Sequence, residues 1–179
     1  MPGYAIHIAI AQEYIKKHPK EVINKEEFLK GTIAPDLESN KNKSHYGNWG
    51  NYKIDIYLDK FLKDTKIKIE EDYWKGYFLH IYVDKKFTNK YFKRECLEIK
   101  KKKDTFHHDY DILNKIIINE YGINKSKWPR SISEKMNCVP GKTQYLKYSK
   151  IKKMIKDISE IKIEKEIEKI KENINEYKN

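Results

Sequence analysis

Apolar residues recur along this chain at spacings of three and four, the period of helices. Residues 4–18 set the pattern, with Tyr4, His7, Ile8, Ala11, Tyr14 and Ile15 on one stripe, so His7 is predicted to point inward. A short helix is expected over Glu26–Gly31, ending at Ala34-Pro35 because the residue before proline disfavours the α region, which makes Asp36 the start of an irregular segment. Leu37–Asn51, rich in Ser, Asn, Lys and Gly, reads as a long loop carrying Ser44-His45-Tyr46-Gly47, and loops of that length in compact domains are often functional. Helices are predicted over 52–64 and over 70–95, the second being the spine of the fold and carrying Trp74, Gly76, His80 and Asp84.

Lys100–Lys103 reads as a solvated turn, since consecutive like charges do not pack, and Thr105–Tyr121 as a further helix. Residues 122–146, with Pro129, Pro140 and Gly141, are expected to be mostly loop. The remainder, Lys147–Tyr177, is a Lys/Glu/Ile helix whose apolar positions Ile151, Met154, Ile158 and Ile161 change phase to Ile163, Ile167, Ile170 and Ile174, which predicts a break near Ile161-Lys162. The expectation is an all-α, multi-helix bundle in one domain, with the candidate site within 1–121 and a carboxy-terminal helical extension over 147–178 that packs on the domain or on another copy.

Composition narrows this picture. The 13% aromatic and 39% hydrophobic residues argue against disorder, while 36% charged residues and a mean hydropathy of -0.90 confine the apolar groups to particular faces. The formal charge is +11, yet of 38 basic residues only Arg94 and Arg130 are arginines, the side chain that base readout favours. The charge therefore reads first as a solvated lysine surface and second as a field that draws in anionic substrates, anionic lipid or nucleic acid. Cys96 and Cys138 lack the spacing of a disulfide framework or a thiolate zinc site. The amino terminus lacks a signal-peptide pattern and no run of about 18 apolar residues occurs, so the expectation is a cytoplasmic protein without a transmembrane segment; oligomeric state is left open.

Candidate chemistry begins on the spine. Gly76, Leu79, His80, Val83, Asp84 and Phe87 share one helical face, and an ionised carboxylate on a packing face is costly unless it is paired or coordinates a metal. At i, i+4 the two side chains reach a common point, as in metal-binding bundles, whereas the plain alternative is a satisfied His–Asp hydrogen bond in a core. His7, His45, His107 and His108, with Asp36, Asp84 and Asp111, extend this to a nitrogen and oxygen set suited to zinc or a similar divalent ion. His107/Asp111 repeats the i, i+4 spacing and is preferred to the neighbouring His108 and Asp109. His18, before Pro19, reads as an ordinary surface residue.

The segments MPGYAIHIAIAQEYI, FLKGTIAPD, SHYG, GYFLHIYVDKKFTNKYF and FHHDYDILNKII resemble successive motifs of the bacterial zinc-dependent phospholipase C family, over residues 1 to 118. The resemblance implies an all-helical fold around a zinc cluster that hydrolyses a phosphate ester by metal-activated water. It also implies a metal-ligand set of His7, Asp36, His45, His80, Asp84, His107 and Asp111, with Asp84 as metal bridge and Asp36 as ligand, general base or both. Two departures reduce the implied zinc count from three ions to one or two. The best-known secreted members use a mature amino-terminal tryptophan as ligand where this chain has Met1, and a histidine beyond the central aspartate where this chain has Phe87, Thr88, Asn89 and Lys90.

Three other readings compete. A zinc-dependent nuclease would use Tyr46, Trp49 and Trp74 to stack bases, although core packing explains such residues as well. An HD-type phosphohydrolase would draw on His45, His108-Asp109 and Asp157. A catalytically degenerate metal-binding scaffold would show closed coordination with no open position. Lys85 is a candidate for holding phosphate.

Overall fold

A computed structural model describes residues 2–48, 55–65, 68–102 and 105–176, with side chains described as far as residue 173. Ten helices carry the described chain: α1 (Tyr4–Lys17), α2 (Lys25–Leu37), α3 (Lys41–Ser44), α4 (Leu58–Thr65), α5 (Asp72–Lys86), α6 (Lys93–Lys102), α7 (His107–Tyr121), α8 (Arg130–Ser133), α9 (Tyr148–Ser159) and α10 (Ile163–Glu176). The strands β1 (Gly47–Asn48) and β2 (Asp55–Ile56) pair antiparallel, Gly47 opposite Ile56. The fold is the all-α one expected, with this two-residue ribbon as its one sheet among the described residues.

Helix α1 lies at the centre, packed by α2, α7 and α9, and Tyr4 through Ala11 are buried on every side rather than along one stripe. Helix α2 runs along α5 in the most extensive pairing among the described residues. Two glycines permit that approach: a Cβ on Gly31 would overlap the Tyr73 carbonyl, and one on Gly76 would overlap the Phe28 carbonyl and press on the Thr32 amide. Beside this pair Phe61, Trp74, Tyr77 and Phe78 form an aromatic cluster that also holds Tyr46.

Several elements depart from expectation. α2 does not end before Pro35 but continues through it to Leu37, so Asp36 sits in a helical turn. So close to the end, a missing N–H removes one helical bond only, and the open carbonyls find other donors: Tyr4 Oη donates to Asp36 O at 3.1 Å and Lys41 Nζ to the same oxygen at 2.8 Å. The expected loop from Leu37 contains α3, capped by the Asn40 side chain accepting from Lys43 N, and then β1. The helix expected over 52–64 begins at Leu58, after β2, with residues 52–54 outside the described set.

The spine expected over 70–95 is α5 and α6 joined by a π-helical turn, Phe87–Tyr91, in which Phe92 N donates to Phe87 O at 2.8 Å. Lys100, Lys101 and Lys102 are no turn but the last turn of α6, where cations oppose the helix dipole and Lys102 pairs with Glu98; Lys103 lies outside the described residues. The break near Ile161-Lys162 is present, and α9 and α10 dock on the domain rather than standing free. Tyr91 Oη donates to Asp157 and Tyr82 Oη to Glu166, while α9 packs against α1. No helix among the described residues is long and apolar enough to cross a membrane.

Candidate metal centre

Four elements bring five of the predicted residues to one point. His7 comes from the first turn of α1, Asp36 from the last turn of α2, His45 from the residue after α3, and His80 and Asp84 from one face of α5. Their donor atoms form two overlapping groups, His7/His80/Asp84 and Asp36/His45/His80, in each of which one ligand atom per residue lies within 4.8 Å of the others. Asp84 Oδ1 stands 3.3 Å from His7 Nε2, and Asp84 Oδ2 stands 3.2 Å from His80 Nε2 and 3.4 Å from His45 Nε2. Asp36 Oδ1 is 3.4 Å from His45 Nε2 and Asp36 Oδ2 is 3.9 Å from His80 Nε2. The His7 and His80 rings stack with centroids 3.8 Å apart.

The surroundings fix which nitrogen is offered. His80 Nδ1 is 2.7 Å from the carbonyl oxygen of Thr32, which can only accept, so Nδ1 donates and Nε2 is the nitrogen turned to the cluster. His45 Nδ1 meets Ser44 Oγ at 2.9 Å, and Tyr77 Oη donates to Ser44 O at 2.5 Å, holding the segment in place. Tyr46, next in sequence, takes a left-handed backbone (φ 48) that non-glycine residues adopt only under tertiary constraint, here its packing on Phe61 and Tyr77. Ser44→Ala is expected to weaken divalent-metal affinity about tenfold by freeing the His45 ring, as outer-shell partners do. Chelator competition measures it, and unchanged affinity would show that the hydroxyl does not orient the ligand.

Electrostatics argue for a cation at this point. His7, His45, His80 and Asp84 are at most 1% exposed, yet neither nitrogen of His7 nor either oxygen of Asp84 has a hydrogen-bond partner. Burial pushes the Asp84 and Asp36 carboxyls up, but the facing imidazoles outweigh it and hold both well below the usual carboxylate range. Burial pushes His7 down, reinforced by His80, so its imidazole is neutral; burial also opposes a charge on His80, but Asp84 and Asp36 prevail and raise its pKa above the ordinary value. One buried and one half-buried carboxylate among imidazoles that can be neutral carry the charge a divalent ion would balance, and the orphaned atoms of His7 and Asp84 are the donors such an ion would satisfy. The cluster can hold a metal ion; His80, with one nitrogen committed to Thr32, can serve one ion only.

One side of the cluster is open. Asp36, its side chain 18% exposed, is the cluster residue that lines an adjoining cavity of about 670 Å³. Tyr4, Ile99, Phe106 and Tyr110 give this cavity apolar and aromatic walls, and Lys41, Lys100 and Lys135 also line it. His107 and Asp111 line it as well, on α7, and are not among the converging donors. Their i, i+4 spacing places them on one helical face, but that face borders the cavity rather than the cluster.

The other predicted residues fall elsewhere. His108 is exposed, and Asp109 is buried as a structural anchor whose carboxylate accepts from the amides of Gln144, Tyr145 and Leu146 at 2.7–2.8 Å. Asp157 is taken by Tyr91 and Lys153, so the constellation of an HD-type site is not assembled. Tyr46 and Trp74 belong to the aromatic core and do not line the cavity, and Trp49 lies outside the described residues. Lys85 is half-buried on α5, also away from the cavity lining. Sequence reasoning missed Thr32, whose contribution is a backbone carbonyl, and Lys41, which gave no signal among so many lysines. No protein-family model, curated protein or solved structure matches this chain.

Proposed function

We propose that this protein is a metal-dependent hydrolase of phosphate esters, using zinc held by His7, His45, His80, Asp36 and Asp84. The observation that carries the reading is the convergence of three Nε2 atoms and two carboxylates, with orphaned buried atoms, at a point whose one open member faces a lysine-lined cavity. Three nitrogens and two carboxylates suit zinc among the first-row divalent ions that imidazole and carboxylate hold. Because Asp84 turns its two oxygens toward different imidazoles, it has the geometry to serve two ions, which fits one or two zincs.

A divalent ion there supplies Lewis acidity, bringing water's pKa to about 7 and neutralising charge on the phosphoryl oxygens. The chain's own residues do the rest. His80 is aimed by Thr32 and His45 by Ser44, so neither ring turns away during the reaction. Asp36, ionised and open to the cavity, would accept a hydrogen bond from a water approaching from that side and so orient it, its lowered pKa making it a weak proton acceptor.

A second reading has support in the burial of His7, His80 and Asp84, which is the closed environment of a structural ion. The experiment that separates the two is metal content of untagged protein together with hydrolysis of a chromogenic phosphodiester and monoester. Bound zinc with turnover supports the hydrolase; bound zinc without turnover of either ester favours a structural ion; no metal under replete conditions rejects both.

The raised pKa of His80 gives a pH dependence with a definite sign. The proton that Asp84 and Asp36 hold on His80 must leave before Nε2 can bind an ion, so metal affinity rises with pH until His80 is deprotonated, by about tenfold per pH unit below that point. The carboxylates, held low, stay ionised over the same range and do not reverse the trend. Zinc competition against a chelator at several pH values reads the slope.

A further inference from the structure

We infer that Lys41 holds the phosphoryl group of the substrate beside the metal end of the cavity, an anion-binding role that rests on the phosphoester reading above. Lys41 opens α3, and its side chain turns back over the end of α2. Its Nζ donates to the carbonyl oxygen of Asp36 at 2.8 Å and lies 3.5 Å from that of Pro35 and 3.4 Å from Asp36 Oδ1. Carbonyls at a helix end lack N–H partners and carry the negative end of the dipole, so they draw an ammonium to that spot.

The result is a cation fixed next to the one cluster ligand that faces the cavity, while itself lining that cavity with its side chain 40% exposed. An ammonium has three N–H donors, and only the Asp36 carbonyl contact is of ordinary hydrogen-bond length. Once Asp36 shares its charge with a divalent ion, its carboxylate competes less for Lys41, and the remaining donors are left for an anion in the cavity. A lysine normally loses rotamer freedom when it grips an anion; here that freedom is already restricted by the backbone carbonyls. A compact ammonium suits a single phosphoryl oxygen, and this one stands 3.4 Å from Asp36 Oδ1, beside the cluster residue that faces the cavity. Lys100 and Lys135 line the same cavity and are placed for the rest of an anionic substrate, Lys135 lying over the Tyr4 ring at 5.6 Å.

The test uses the zinc-loaded full chain and inorganic phosphate as probe, with calorimetric titration and metal analysis of wild type, Lys41→Met and Lys41→Arg. The expected result is that Lys41→Met keeps its metal but binds phosphate about 10- to 100-fold more weakly, and that Lys41→Arg recovers most of the loss. With a chromogenic ester, KM should rise more than kcat falls, because the contact exists before and during the reaction. Phosphate affinity unchanged in Lys41→Met, no phosphate binding by metal-loaded wild type, or loss of metal together with phosphate would each overturn the inference; the last would reduce Lys41 to a support for Asp36. Lys41-dependent phosphate binding in a protein that hydrolyses neither ester would uphold this inference and reject the hydrolase. Hydrolysis with unchanged KM in Lys41→Met would do the reverse.

Discussion

Under the proposed function, Asp84→Asn is expected to remove bound metal and phosphoester hydrolysis together while leaving the helical fold in place. Asp84 is the one carboxylate that reaches His7, His45 and His80 at once, and neither of its oxygens has a hydrogen bond to fall back on. An amide is nearly isosteric but neutral, so the ion loses a charged ligand at the centre of the cluster, and affinity should fall by at least about 100-fold. The measurement is thermal melting with and without zinc, beside metal content. At saturating zinc the wild type should gain about 5–10 °C, as binding at 100 times Kd adds about 2.7 kcal/mol to a chain of this size, and the variant should gain none. The metal-free variant should still fold but melt somewhat below metal-free wild type, because the carboxylate held low and the imidazole held high stabilise each other in the folded state. A variant that keeps both its zinc and the zinc-dependent shift would show that the ion does not sit at Asp84.

How much of this centre was legible in the sequence depends on which physical relation carries each residue. His7, His80 and Asp84 were legible because helical period alone turns them inward, and a carboxylate on a packing face requires a partner. Asp36 and His45 enter as members of a histidine/aspartate set that the resemblance also implies, and the local expectation around Asp36 failed: Pro35 reads as a helix end, but Tyr4 and Lys41 supply donors to the Asp36 carbonyl. His107 and Asp111 show the limit of spacing arguments. An i, i+4 pair shares a face, and which neighbour that face meets is decided by how α7 packs on α1. The lysine run at 100–102 went the same way, since Cys96 and Ile99 bury one side of α6 and leave the charges free to extend it. Thr32 could not have been found by residue type, because it acts through its backbone.

Gly76→Ala is expected to lower both stability and metal affinity although it changes no ligand. In an exposed helix interior, alanine in place of glycine stabilises by roughly 0.5–1 kcal/mol, so the ordinary expectation has the opposite sign. Here the new Cβ would meet the Phe28 carbonyl and the Thr32 amide of α2, backbone groups that cannot rotate aside, and Gly31 makes the reciprocal approach against Tyr73. The helices must separate, at a cost of about 2–4 kcal/mol, which lowers Tm by about 5–15 °C. Gly76 lies one turn before His80, and the separated partner is the turn that carries Thr32 and leads to Asp36. The same displacement therefore stretches the 2.7 Å contact from His80 Nδ1 to Thr32 O and draws Asp36 away from His80. Loss of that orientation should weaken zinc binding about 10- to 100-fold in protein that remains folded. Gly122→Ala is the control: Gly122 also has a conformational role, at φ +63 after α7, but a Cβ there meets nothing within 4 Å. It should cost about 1 kcal/mol and leave zinc affinity unchanged. Equal zinc affinity in Gly76→Ala and wild type, measured on folded protein by chelator competition, would mean that the α2–α5 approach does not set the cluster's geometry. Loss of affinity in Gly76→Ala alone would place the control of the centre in a backbone contact between two helices rather than in its ligands.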